Sequence, residues 1–120
     1  MKYFATLILI SAFISLHAAD KQKITVEMDT PSTAWTVSIL EVYQTKTNIV
    51  VLSQLKSVGI GGAAISRVKD SVSISGAKLP VKHYVLGKTW NWPNKGFNFS
   101  ADRKAFDKAA KNAKQLYKAK

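Results

Sequence analysis

Apolar and polar residues alternate along most of this chain with the two-residue period of a β-strand. Over Lys23–Asp29, Ile24, Val26 and Met28 fall on one face and Thr25, Glu27 and Asp29 on the other, which predicts a half-buried strand. Thr30-Pro31-Ser32-Thr33 interrupts it with turn-forming residues. Ala34–Gln44 resumes as a strand, with Trp35, Val37, Ile39 and Tyr43 on one face and Leu40 and Val42 on the other. Ile49–Leu55 is apolar on both faces, and the polar Thr45–Asn48 between these two strands predicts a hairpin. Ser57–Gly62 is the most glycine-dense stretch and predicts a tightly turned loop. Ala63–Ser75 carries the next strand or pair of strands. Ile65 and Val68 do not share a face there, which predicts a bulge near Arg67.

The stretch Leu79–Trp92 reads as a central strand, Val81–Gly87, that leaves the core into an aromatic and cationic tip. Pro80 stands at its start, where a missing N–H costs least. Lys88, Trp90 and Trp92 follow Gly87 and precede Pro93. Phe97-Asn98-Phe99 predicts a short edge strand. From Ala101 the period changes. Phe106, Ala109, Ala110, Ala113 and Tyr117 form a helical stripe, with Ser100 as N-cap, Asp102 in the first turn, an Asp107–Lys111 pair and a lysine face of Lys104, Lys108, Lys111 and Lys118. Short strands with Gly and Pro turns followed by one helix predict an all-β sandwich over 20–100 with a basic amphipathic helix over 101–120; the alternative is a small α+β sheet with one covering helix.

The first 19 residues fall outside this pattern. Lys2 precedes a short apolar run, Phe4–Leu16, and small residues at Ala18-Ala19, the layout of a secretory signal peptide. The run is short for a membrane span, and polar Asp20–Lys23 follows at once. A mature domain starting near Ala19 or Asp20 and exported to a periplasm or the exterior is expected. It has no Cys, so its core must hold without disulfides, and thiol chemistry is excluded. Eighteen basic residues stand against 7 acidic ones, a net charge of +11 that falls to +10 when Lys2 leaves with the leader. Such an excess favours anionic partners.

Catalysis is not expected. His83 is the one histidine outside the leader and lies on an apolar strand, and no Gly-x-Ser-x-Gly elbow occurs. No cluster of His, Cys and carboxylates suits a metal, and no cofactor motif is complete. Glu27 and Asp29 share a strand face but read as its solvated side. Gly87-Lys88-Thr89 lacks the upstream glycine and following helix of a phosphate loop.

Three loops remain: Thr30-Pro31-Ser32-Thr33-Ala34-Trp35, Gly59-Ile60-Gly61-Gly62 and Lys88-Thr89-Trp90. In order and spacing they resemble the chagasin-like inhibitors of papain-family cysteine peptidases, which carry N-P-T-T-G-[YF], G-x-G-G and R-P-W loops. Pro31, Thr33 and Trp35 match the first motif, with Thr30, Ser32 and Ala34 replacing Asn, Thr and Gly. Gly59, Gly61 and Gly62 match the second. Trp90 matches the third, with Lys88 for Arg and Thr89 for Pro. The resemblance implies an immunoglobulin-like sandwich whose three loops meet at one end as a wedge into the peptidase cleft. Thr30, Pro31, Ser32, Thr33, Trp35, Gly59, Gly61, Gly62, Lys88, Trp90 and the adjacent Trp92 would be its contact residues. The family usually ends in a further strand, where the pattern here predicts a helix. A second class of function, independent of the resemblance, is a cationic envelope or extracellular module. Lys82, Lys88, Lys95 and the helix lysines would then grip an anionic polymer or glycan while Trp90 and Trp92 stack on it.

Overall fold

The computed structural model describes residues 21–92 and 94–120. The leader assigned to residues 1–19 lies outside them. The fold is all-β. Strand β1 (Lys21–Thr30) pairs antiparallel with β4 (Ser66–Ser75) in a two-stranded sheet. The second sheet has five strands in the order β6 (Phe97–Ser100), β5 (Val81–Leu86), β3 (Ile49–Ser57), β2 (Trp35–Gln44) and β7 (Lys114–Lys118). The pairings β3–β5 and β5–β6 are parallel, so this sheet is mixed rather than wholly antiparallel. No helix among the described residues is long and apolar enough to cross a membrane.

The core lies between the sheets. Ile24, Val26 and Met28 of β1 and Ile74 of β4 pack against Val37, Ile39 and Val42 of β2, Ile49, Val51 and Leu55 of β3, and Val85 of β5. The sequence places a bulge near Arg67, but β4 pairs with β1 in unbroken register from Ser66 to Ser75. Ile65 stands outside the strand as an exposed loop residue, so Val68, Val72 and Ile74 need no correction of phase. The irregularity is in β2, where Leu40 is the extra residue between the pairs Ile39–Ser53 and Glu41–Leu52. It turns Val42 into the core beside Ile39 and sends Tyr43 to the outer face, against the assignment made from simple alternation. At the bulge, the Ile39 N–H donates to the Asp70 carboxylate of β4 (2.8 Å), tying the two sheets together.

The outer face of the five-stranded sheet has its own apolar cluster. A short helix, α1 (Lys104–Ala109), places Phe106 on Val50 and Leu52, edge-on to Tyr43 and Tyr84. Since β6 and β7 are opposite edges of this sheet, the segment carrying α1 crosses the outer face from one edge to the other. The helix is much shorter than the predicted one over 101–120. Asn112, the one non-glycine residue at positive φ among the described residues, lies in the turn after it, and Lys114–Lys118 then joins the edge of β2 as β7. The expected departure from a terminal strand is therefore absent. The N-cap position is Arg103, not Ser100, with Asp102 just before it accepting the Lys104 N–H (3.0 Å), and Asp107 pairs with Arg103 rather than Lys111.

Arg103 also holds the helix to the sheet. Its guanidinium donates to both oxygens of the buried Glu41 carboxylate (2.7 and 3.1 Å), which Tyr43 Oη joins at 2.9 Å. The Arg103 hydrogen bonds outweigh the desolvation of Glu41 and hold its carboxyl below the usual 4.5. The same pairing raises Arg103, and the bond to Glu41 raises Tyr43.

Candidate functional site

The register of the strands fixes where the loops emerge. Thr30 pairs with Ser66, Trp35 with Ser57 and, in the parallel pair, Gln54 with Leu86. The β1–β2 loop, the β3–β4 loop and the start of the β5–β6 loop therefore share one end of the sandwich. All three sequence motifs lie there.

The first two loops are stitched together. Thr30 is buried, and its hydroxyl donates to the Ser32 carbonyl (2.8 Å) with the Ser66 carbonyl also in reach (3.3 Å), closing the turn over Pro31. The Ser32 hydroxyl accepts the Ala34 N–H (3.3 Å). Thr33 then meets Gly62 twice: the Gly62 N–H donates to Thr33 Oγ1 (2.6 Å), and the Thr33 N–H donates to the Gly62 carbonyl (3.2 Å). A third bond runs from the Val58 N–H to the Ala34 carbonyl (2.7 Å). Backbones this close leave no room for a side chain. A Cβ on Gly61 would stand 2.3 Å from the Ala34 nitrogen, which accounts for glycine there. Ala34 itself keeps a negative φ, so the alanine at the glycine position of the motif is no obstacle.

The third loop packs alongside through aromatic rings. Trp35 meets Trp90 edge-to-face at 5.1 Å between centroids, and Trp90 meets Trp92 at 5.7 Å. Such pairs add about 0.5–1.5 kcal/mol beyond the area they bury. Trp90 is thus not a free tip. It is half-buried against the main core, and its indole N–H finds no acceptor among the described residues. Lys88 is likewise turned inward. Its Nζ donates to the Trp92 carbonyl (2.6 Å) and sits 4.3 Å from the centre of the Phe99 ring. Gly87 makes the turn at φ 93°, with its α-carbon against the Leu55 carbonyl.

Sequence reasoning missed the most accessible apolar side chains. Val58, Ile60, Ile65 and Val81 are the large hydrophobic residues left exposed among the described residues, and three of them belong to the β3–β4 loop. Ile60, with a relative exposure of 106%, is as bare as in an isolated peptide. Gly59, at φ 122°, and the confined Gly61 on either side hold it outward. The signal was an apolar residue between glycines, in a loop that has no core to fill.

His83 lies half-buried on β5, edge-on to Phe97 (5.2 Å), and its Nδ1 has no partner among the described residues. Burial lowers its pKa from the usual 6.5, which favours the neutral ring. Glu27 and Asp29 sit on the solvated face of β1 and share Arg67 (3.6 and 3.2 Å). No group of three or more His, Cys, Asp and Glu among the described residues could hold a metal. Compared with protein-family models, with characterised proteins and with solved structures, the chain matches none.

Proposed function

We propose that this chain is an exported inhibitor of papain-family cysteine peptidases that enters the peptidase cleft with the end built from its three loops. The observation that carries the reading is the reciprocal hydrogen bonding of Thr33 and Gly62, which makes one body of the Pro31 loop and the glycine loop. A peptidase cuts chain that it can draw out into an extended, mobile segment. Loops cross-tied at their backbones resist that, and they bind without a large ordering cost. Ile60 projects beyond this body as an apolar anchor for a pocket in the cleft, the kind of residue that dominates interface energy. Trp35 and Trp90 act from behind, as the rigid backing of the loops.

The test is hydrolysis of a fluorogenic peptide by papain in the presence of the purified protein. Reversible inhibition is expected, weakened more than about tenfold by Ile60→Asp, a loss of at least about 1.4 kcal/mol. An unchanged rate at concentrations near 100 µM, which corresponds to no more than about 5.5 kcal/mol of binding, would contradict the proposal. The polymer-binding alternative has less support, because Lys88 and Trp90 are both engaged inside the domain.

A further inference from the structure

Strand β1 pairs with β4 along its whole length on one side, and no strand among the described residues pairs with it on the other. The direction of its backbone groups can be read from two contacts. The Asp29 carbonyl accepts a hydrogen bond from Asn94 of the β5–β6 loop (3.4 Å). Thr25 and Ser71, opposite each other, bring their hydroxyls within 2.9 Å, the close side-chain approach of a pair that does not exchange backbone hydrogen bonds. Residues of this parity therefore direct N–H and C=O to the open side. They are Lys21, Lys23, Thr25, Glu27 and Asp29, and of these Asp29 already gives its carbonyl to Asn94, so the edge is open from Lys21 to Glu27.

The order of charge on these five residues is basic, basic, neutral, acidic, acidic. Laid antiparallel on a second copy and centred on Thr25, the strand sets Lys21 against Asp29 and Lys23 against Glu27, twice each by symmetry. That register alone pairs all four charged residues. Parallel in-register stacking would set lysine on lysine and acid on acid. Opposite charges facing across strands stabilise a pair and like charges destabilise it, so the pattern favours the centred antiparallel register, the one that satisfies every charge, and opposes the in-register parallel stacking that leads to aggregation. We propose that β1 is a self-recognition edge, through which two copies of this chain join their two-stranded sheets into one of four strands. Arg67 of β4 already contacts Glu27 and Asp29, so each carboxylate would lie between Arg67 and a lysine of the partner copy. Because β1 runs toward the loop end, the antiparallel pair points its two loop clusters in opposite directions and leaves both uncovered.

Sedimentation equilibrium of the purified protein tests this, with thermal melts to verify that each variant is folded. The wild-type mass is expected to rise reversibly toward that of a dimer with concentration, and the association to weaken as ionic strength rises from about 0.05 to 1 M. Lys23→Glu and Glu27→Lys each place like charges opposite one another and are expected to be monomeric. Mixed in equal amounts they restore both pairs and are expected to form the heterodimer, as the double variant K23E/E27K is to form a homodimer. A wild-type protein that stays monomeric at about 1 mM would overturn the proposal, since a dissociation constant above that leaves under about 4 kcal/mol for the contact. A dimer that both single variants preserve, or folded single variants that fail to associate when mixed, would overturn it equally.

Discussion

Gly61 passes so close to Ala34 that a Cβ on it would stand 2.3 Å from the Ala34 nitrogen. The neighbouring Gly62 has no such constraint, since its Cβ would meet Thr33 Oγ1 at an ordinary 3.5 Å. The closure of the loop end thus depends on one glycine and not on the other. Gly61→Ala is expected to force the two loops apart, at the roughly 1–3 kcal/mol typical of overpacking, while Gly62→Ala stays within about 0.5 kcal/mol of wild type. Thermal melts check this: for a domain of this size about 4–8 °C is lost per kcal/mol. Equal effects of the two substitutions would refute the stitching described.

The Trp35–Trp90 contact predicts a different cost. Trp90→Ala removes a half-buried ring from between Trp35 and Trp92, and a loss of about 2–3 kcal/mol is expected, short of the 3–5 of a fully buried tryptophan. Trp90→Phe, which keeps an edge for Trp35, should recover more than half of it. Chemical denaturation of the three proteins measures both.

Glu41 and Arg103 predict an acid-sensitive link between sheet and helix. Arg103→Met leaves a buried carboxylate without its main partner and is expected to cost about 1–3 kcal/mol at neutral pH. Since the folded-state pKa of Glu41 lies below its ordinary value of 4.5, the contribution of the pair is complete above 4.5 and fades as pH falls through the lower folded value. The gap in melting temperature between wild type and R103M should accordingly narrow below pH 4.5.

His83 predicts a second, separate pH dependence. Burial disfavours its charged form, so as pH falls below the ordinary value of 6.5 the unfolded chain takes up a proton that the folded one does not. Stability is expected to be full above pH 6.5 and to decline below it. His83→Leu should flatten the melting temperature between pH 7 and 5, and an unchanged slope in that variant would assign the effect elsewhere.

The strands β1 to β5 were legible because their apolar positions face the core. Ile24, Val26 and Met28 announce β1, and the apolar run of Ile49–Leu55 announces the central β3. The loop cluster was legible from Pro31 and the glycines, whose conformational needs are local. Two features were not. The alanine and lysine run after Phe106 favours helix, yet Lys114–Lys118 is a strand because the edge of β2 from Glu41 to Gln44 is there to receive it. That is a tertiary preference, and it overrides local propensity. Lys88 and Trp90 read as an exposed cationic tip, but whether such residues face solvent depends on Trp35, Trp92 and Phe99 arriving from elsewhere in the fold. The slip in β2 was written in the sequence as the three-residue step from Ile39 to Val42.

Occupation of a peptidase cleft by the three-loop end is checked by titration calorimetry with papain in two states. One sample has a free cleft; in the other a small covalent peptide inhibitor fills the cleft. One chain is expected to bind per papain molecule when the cleft is free and none when it is filled. Equal heats with both samples, or none with free papain, would contradict that occupation.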